Sequence, residues 1–215
     1  MIKKIETNKG LYSYEVKEFI LGTKRIDKEI SKENLLAFRK CFNEACIPFG
    51  LIYGTLLGAV REKDFIEHDE DTDIFVLDIH RKKVLDILFE LKEVGLVVGR
   101  YEADDDLLSF VKDGEYIDIY FFKDAPFGKM RGSGSVIESK YLKNLVEIEF
   151  LGASFCIPQN SEVLLEKIYG HDWMIPKQNV KGVNFGFYLK TKFFIRDNFK
   201  TLFKIISWSK KKLNV

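Results

Sequence analysis

The chain is poor in the residues that usually declare a protein's class. Among 215 residues there are four prolines, three cysteines, three histidines, three methionines and two tryptophans. Three cysteines, Cys41, Cys46 and Cys156, make an odd number without metal-ligand spacing, which excludes a disulfide framework and predicts reduced, buried thiols. His68, His80 and His171 likewise lack ligand spacing. No stretch approaches the ~18 apolar residues of a membrane span, and the opening MIKKIETNKG has no apolar centre of the kind a secretory signal needs. A cytoplasmic protein is expected.

Net charge is also close to nil, +1 from 34 basic and 33 acidic residues, but the balance hides an asymmetry. From Phe185 to Val215 eight basic residues face one acid, Asp197, for +7, and the preceding 184 residues carry −6. The two parts are expected to meet different partners. What the chain has in excess is phenylalanine, 19 residues unevenly spread. The length suffices to bury a core in one domain with an appendage.

Periodicity gives the elements. Ser31 can cap a helix from Lys32 to Cys46 whose apolar face is Leu35, Phe38, Phe42 and Ala45. Phe49–Tyr53 is a short apolar strand ending at Gly54-Thr55, followed by a helix from Leu56 to Glu62. Asp71–Leu77 is a strand, and Asp78 caps a helix with the stripe Val84, Ile87, Leu88 and Leu91, stopped at Gly95. Leu96–Arg100, Leu107–Lys112 and Tyr116–Phe122 are strands, the last two joined by an Asp113-Gly114 hairpin turn. Gly128–Ser135 is a flexible loop, Glu147–Cys156 mostly strand, and Ser161–Tyr169 a helix ended by Gly170. Helices alternating with mixed, partly antiparallel strands make an α/β (α+β) fold.

The chemistry concentrates in two places. Five acids lie between Glu67 and Asp73, immediately before the apolar run Ile74–Leu77. In an extended chain, residues two apart share a face, so Asp69, Asp71 and Asp73 line up. Asp118 is a single charge in the aromatic strand Tyr116–Phe122; such a carboxylate needs either a buried basic partner or a cation. Three aspartates converging on Mg²⁺ or Mn²⁺ would relieve both the repulsion and the burial, because oxygen ligands suit these ions. A calcium loop counted from Asp69 fails: it needs Gly and Glu where Ile74 and His80 stand. Gly54 and Thr55 place backbone N–H groups, a hydroxyl and a helix N-terminus where a phosphate could dock. Arg61, two turns on, can contact an anionic donor or pair with a nearby acid.

The order strand, Gly-Thr, helix, Asp-x-Asp strand, later strand Asp is that of the nucleotidyltransferase fold. The run Tyr53–Arg61, with Phe65-Ile66 and Asp69–Asp73, resembles the LicD family, which includes the fukutin-related proteins, and Ile168–Pro176 resembles that family's C-terminal signature. The likeness runs from about Leu35 to Pro176. It implies that Asp71, Asp73 and Asp118 are the metal ligands and that Gly54, Thr55 and Arg61 serve the donor. It also implies transfer of a phospho-alcohol such as phosphocholine from a CDP-alcohol donor to a hydroxyl of a glycan or lipid-linked glycan acceptor. Asp69 or Asp118 would take the acceptor proton. Thr72 stands where the family usually has Ile or Val, and without a Cys/His cluster no zinc is expected.

The alternatives are a nucleotidyltransferase that releases pyrophosphate and a non-catalytic binding module of the same fold. The expected organisation is an N-terminal extension (1–30), a catalytic domain (31–184) and a basic tail (185–215). In the tail Ile195, Phe199, Leu202, Phe203 and Ile206 form a stripe flanked by lysines and arginine. It either docks on the domain's own core or contacts anionic membrane at the cytoplasmic face. No nucleic-acid partner is expected, since the acidic main part repels phosphates.

Overall fold

The computed structural model describes residues 1–19 and 24–176. In chain order the strands and helices are β1 (Ile2–Thr7), β2 (Gly10–Glu15), α1 (Lys28–Glu44), β3 (Gly50–Leu51), α2 (Tyr53–Arg61), β4 (Thr72–Leu77), α3 (Arg81–Asp86), α4 (Leu88–Glu93) and β5 (Val97–Glu102). Then come β6 (Leu107–Lys112), β7 (Glu115–Ala125), β8 (Lys129–Gly132), β9 (Ser135–Glu138), α5 (Ser139–Lys143), β10 (Leu145–Phe150), β11 (Ala153–Pro158) and α6 (Ser161–Tyr169). The basic tail and the stripe within it lie outside the described residues.

The main sheet runs β3-β4-β7-β6-β5, with β8 and β9 added beyond the end of β7. Only β4 and β7 are parallel; their neighbours run antiparallel. This mixed sheet flanked by helices is the expected α/β (α+β) arrangement. β4 sits inside the sheet and is buried from Thr72 to Val76, which is why its sequence is a continuous apolar run rather than an alternation. In β7, Ile117, Ile119 and Phe121 point to one face and Tyr116, Asp118 and Tyr120 to the other. Phe38 and Phe42 of α1 stack one turn apart, ring centroids 3.9 Å, and Phe38 meets Phe110 on the sheet. Phe49 and Phe155 extend this cluster, so these phenylalanines form one aromatic part of the core.

Several boundaries differ from expectation, each for a local reason. The helix α1 starts four residues early, because Asp27 rather than Ser31 caps it: its carboxylate accepts the N–H groups of Glu29 and Ile30. Ser31 is buried and faces Glu115 instead. The segment Phe49–Tyr53 yields only two strand residues, since Tyr53 turns into the left-handed region (φ 48°) and α2 begins there. Asp78 does not cap a helix; it opens a 3₁₀ turn and its carboxylate accepts from Arg81 Nε. The expected flexible loop at Gly128–Ser135 is a β8–β9 hairpin, turned by Ser133 and Gly134 at positive φ and anchored by buried Met130. Asp113 and Gly114 do make the anticipated turn, both at positive φ. Residues 1–15 form a hairpin that contributes Ile5, Tyr12 and Tyr14 to the core. Cys41 is buried as expected, whereas Cys46 is exposed in the left-handed turn that ends α1.

Candidate active site

The register of the sheet brings the two acidic elements together. Asp73 on β4 lies directly beside Asp118 on the parallel strand β7, and both are almost fully buried. Asp71 precedes β4 by one residue and is half-buried. Asp69 lies in the approach to the strand, held by its carbonyl to Ile26 N–H and by its N–H to Ile66 O. Register thus sets Asp73 beside Asp118, and Asp69 and Asp71 lie near enough to act on this pair electrostatically.

Gly54 sits at the hinge of this arrangement. Its N–H donates to Asp73 Oδ2 at 3.0 Å, and a Cβ on Gly54 would overlap the Asp69 carboxylate. No other residue fits there without moving an aspartate. The Thr55 hydroxyl is buried and accepts the N–H of Asp73 at 2.8 Å. The first turn of α2 thus clasps the aspartate strand from both sides. Arg61 ends the same helix with its guanidinium on Glu62 Oε1 and on the Trp173 carbonyl at 2.9 Å. It makes the ion pair with Glu62, and its bond to the Trp173 carbonyl ties α2 to the Ile168–Pro176 segment.

The electrostatics are those of a site short of positive charge. Burial pushes the Asp73 carboxyl well above the usual range, and the charges of Asp69 and Asp118 add to this; the Gly54 N–H and the Tyr120 hydroxyl oppose it. Asp71 is pushed up by burial and then by Asp73, Asp118 and Asp69. Burial raises Asp69 to about 6. Asp118 is raised by burial despite the neighbouring Arg100 and Ser109.

Asp118 has the basic partner that the sequence left open. Arg100 Nη2 donates to its Oδ2 at 2.8 Å, and Arg100 Nε donates to Ser109 Oγ at 2.9 Å. Yet Asp118 Oδ1 is buried with no hydrogen-bond partner, and so is Asp69 Oδ2. A divalent cation fits this donor set chemically: Asp71, Asp73 and Asp118 offer carboxylate oxygens, one of them, Asp118 Oδ1, is buried and unsatisfied, and one guanidinium cannot balance four neighbouring acids. Among the described residues no three His, Cys or acidic side chains stand close enough to enclose an ion as they are.

The sequence did not point to Arg100, Ser109 and Tyr120. One signal was available: Gly99-Arg100 puts a glycine and a lone charge inside the strand VVGRYE, the mark of a bulge that re-aims a side chain.

Comparison with known proteins identifies the family. Residues 46–160 match the family model described as LicD/FKTN/FKRP, nucleotidyltransferase domain. The chain is 27% identical over 161 residues to human ribitol-5-phosphate transferase FKTN, and 28% to the protein of that name from Macaca fascicularis. The match covers 69% of this chain and 34% of each relative, so it spans about a third of their length. Among solved structures, the lincosamide antibiotic adenylyltransferase LnuA superposes with a TM-score of 0.44 at 17% identity, over 62% of this chain and 83% of that one. The solution structure of the antibiotic-resistance factor ANT(2'')-Ia gives 0.49 at 11% identity, over 86% and 99%.

Proposed function

Because the chain belongs to the LicD/FKTN/FKRP nucleotidyltransferase-domain family, we propose that it is a LicD-type phosphotransferase. It transfers a phospho-alcohol from a CDP-activated donor to a hydroxyl of a glycan or lipid-linked glycan, with release of CMP. The observation that carries this reading is the pair Asp73–Asp118, side by side on β4 and β7 with one buried carboxylate oxygen unsatisfied. Asp71, Asp73 and Asp118 would hold Mg²⁺ or Mn²⁺, which when bound neutralises the donor pyrophosphate and the departing CMP.

The protein's own groups divide the remaining work. Gly54 lets the backbone of α2 approach both Asp69 and Asp73, keeping the carboxylates against the helix N-terminus where phosphate charge is favourable. Asp69 is the better base for the acceptor hydroxyl. Burial raises its carboxyl, and one of its oxygens has no hydrogen-bond partner. Asp118 is engaged through Oδ2 by Arg100, which suits a ligand better than a base.

The transferred alcohol is choline or ribitol phosphate, or a relative of these; the curated relatives are named for ribitol-5-phosphate. The full chain with Mg²⁺, a glycan acceptor and a panel of CDP-choline, CDP-ethanolamine, CDP-ribitol and CDP-glycerol is expected to release CMP with at least one donor. Pyrophosphate release from CTP, with no CMP from any CDP-alcohol, would establish a nucleotidyltransferase instead. We also propose that the basic segment 185–215 contacts anionic lipid near the acceptor, its excess of +7 contributing about 1 kcal/mol per nearby basic residue. Co-sedimentation with anionic but not neutral vesicles at low salt supports this; equal behaviour with both would reject it.

A further inference from the structure

We propose that Arg100 is the positioning residue that aims the free oxygen of Asp118 into the cation site, and that the bulge at Gly99 exists to put it there. The inference rests on the reading of Asp71, Asp73 and Asp118 as a cation site.

Pairing between β5 and β6 begins with Val97 opposite Val111 and Val98 opposite Phe110, then shifts so that Arg100 stands opposite Ser109. Without the extra residue, Gly99 would face Ser109 and Arg100 would turn to the other side of the sheet. With it, Asp73, Asp118, Ser109 and Arg100 form one polar row across four adjacent strands.

The two bonds from Arg100 have different partners. Nη2 takes Asp118 Oδ2 and Nε takes Ser109 Oγ, so the guanidinium plane is fixed at two points and the carboxylate plane with it. One oxygen of Asp118 is committed to the protein and the other, Oδ1, is buried and unsatisfied. This division matches second-layer residues that orient a metal ligand. The Phe19 ring lies over the guanidinium, 4.4 Å from Cζ to the ring centroid, and meets Tyr116 edge-on at 4.8 Å. Gly99 makes room for Val111 and for that ring, since a Cβ there would come within 2.8 Å of Val111 Cγ2 and 3.1 Å of Phe19 Cζ. Its carbonyl also accepts the Lys17 N–H, which pins the chain just before Phe19.

A role as simple charge balance predicts the opposite sign of effect. A guanidinium beside a cation site repels the cation, so its removal would tighten binding unless orientation matters more. The test is binding of Mn²⁺ alone to the full chain, read by electron paramagnetic resonance, for wild type, Arg100→Met, Arg100→Lys and Ser109→Ala, with Asp118→Asn as control. Melting in EDTA reports the metal-free fold of each. Loss of orientation is expected to weaken Mn²⁺ binding by about 10–100-fold in Arg100→Met. Arg100→Lys keeps the charge but lacks the planar fork that fixes Ser109 and Asp118 at two points, and is expected to remain clearly weaker than wild type. Wild-type or tighter binding in either Arg100 variant, with binding lost in Asp118→Asn, overturns the positioning role and leaves the site reading intact. Wild-type binding in Asp118→Asn overturns the site reading itself and the proposal with it.

Discussion

Thr72 lies between the two aspartates of the motif, fully buried, and its hydroxyl has no hydrogen-bond partner. An unsatisfied buried hydroxyl opposes folding, and valine has the same shape without it. Thr72→Val is therefore expected to stabilise the protein by about 1 kcal/mol, seen as a higher urea midpoint with an unchanged slope. A lower midpoint would mean that the hydroxyl is satisfied in solution.

Asp69 makes a second residue-scale test. Its carboxyl is raised to about 6 by burial, so the native state holds the proton more tightly than the unfolded chain. Ionisation then destabilises the fold as pH climbs from about 4 towards and beyond 6. Asp69→Asn removes this dependence. In EDTA the variant should match wild type near pH 4 and exceed it by about 1–3 kcal/mol near pH 7. A difference that stays flat across this window would show that the Asp69 carboxyl is not held up.

At the scale of elements, the first turn of α2 and the start of β4 are one structural unit. Thr55 Oγ receives the Asp73 N–H, and Gly54 N–H reaches Asp73 Oδ2. Thr55→Val leaves a buried N–H without an acceptor, and a loss of about 1–3 kcal/mol in stability is expected by thermal or urea melting. Unchanged stability would assign the hydroxyl to a ligand rather than to β4.

The Asp-x-Asp strand and the lone Asp118 were legible because charges stand out in apolar strands. The hairpin turn at Asp113-Gly114 and the helix stop at Gly170 were legible because glycine chemistry is local. The Asp27 cap was hidden because Ser31 offers an equally good cap four residues later, and only tertiary packing, which buries Ser31 beside Glu115, decides between them. The β8–β9 hairpin looked like a loop because its glycines and serines carry little apolar pattern; β8 is held by pairing to β7, and β9 by pairing to β8. Arg100 was hidden for a different reason. Its face depends on a one-residue register shift, which alternation alone cannot reveal.

At the scale of the molecule, the fold is a frame that forces acids together. A parallel pair at the centre of the sheet sets Asp73 against Asp118, the α2 turn bonds Asp73 through the Gly54 N–H and lies against Asp69, and Arg100 steadies Asp118 from β5. No helix among the described residues is long and apolar enough to cross a membrane. Such crowding of carboxylates is costly unless something positive completes it, and that is the account's central claim. The most direct measurement is CMP release from the active CDP-alcohol in Mg²⁺ by the full chain and by Asp73→Asn. Asparagine can still accept the Gly54 N–H, so the fold should persist. The account predicts that turnover falls on the order of 100-fold or more while the metal-free melting temperature holds or rises. Near-normal turnover in Asp73→Asn would contradict it.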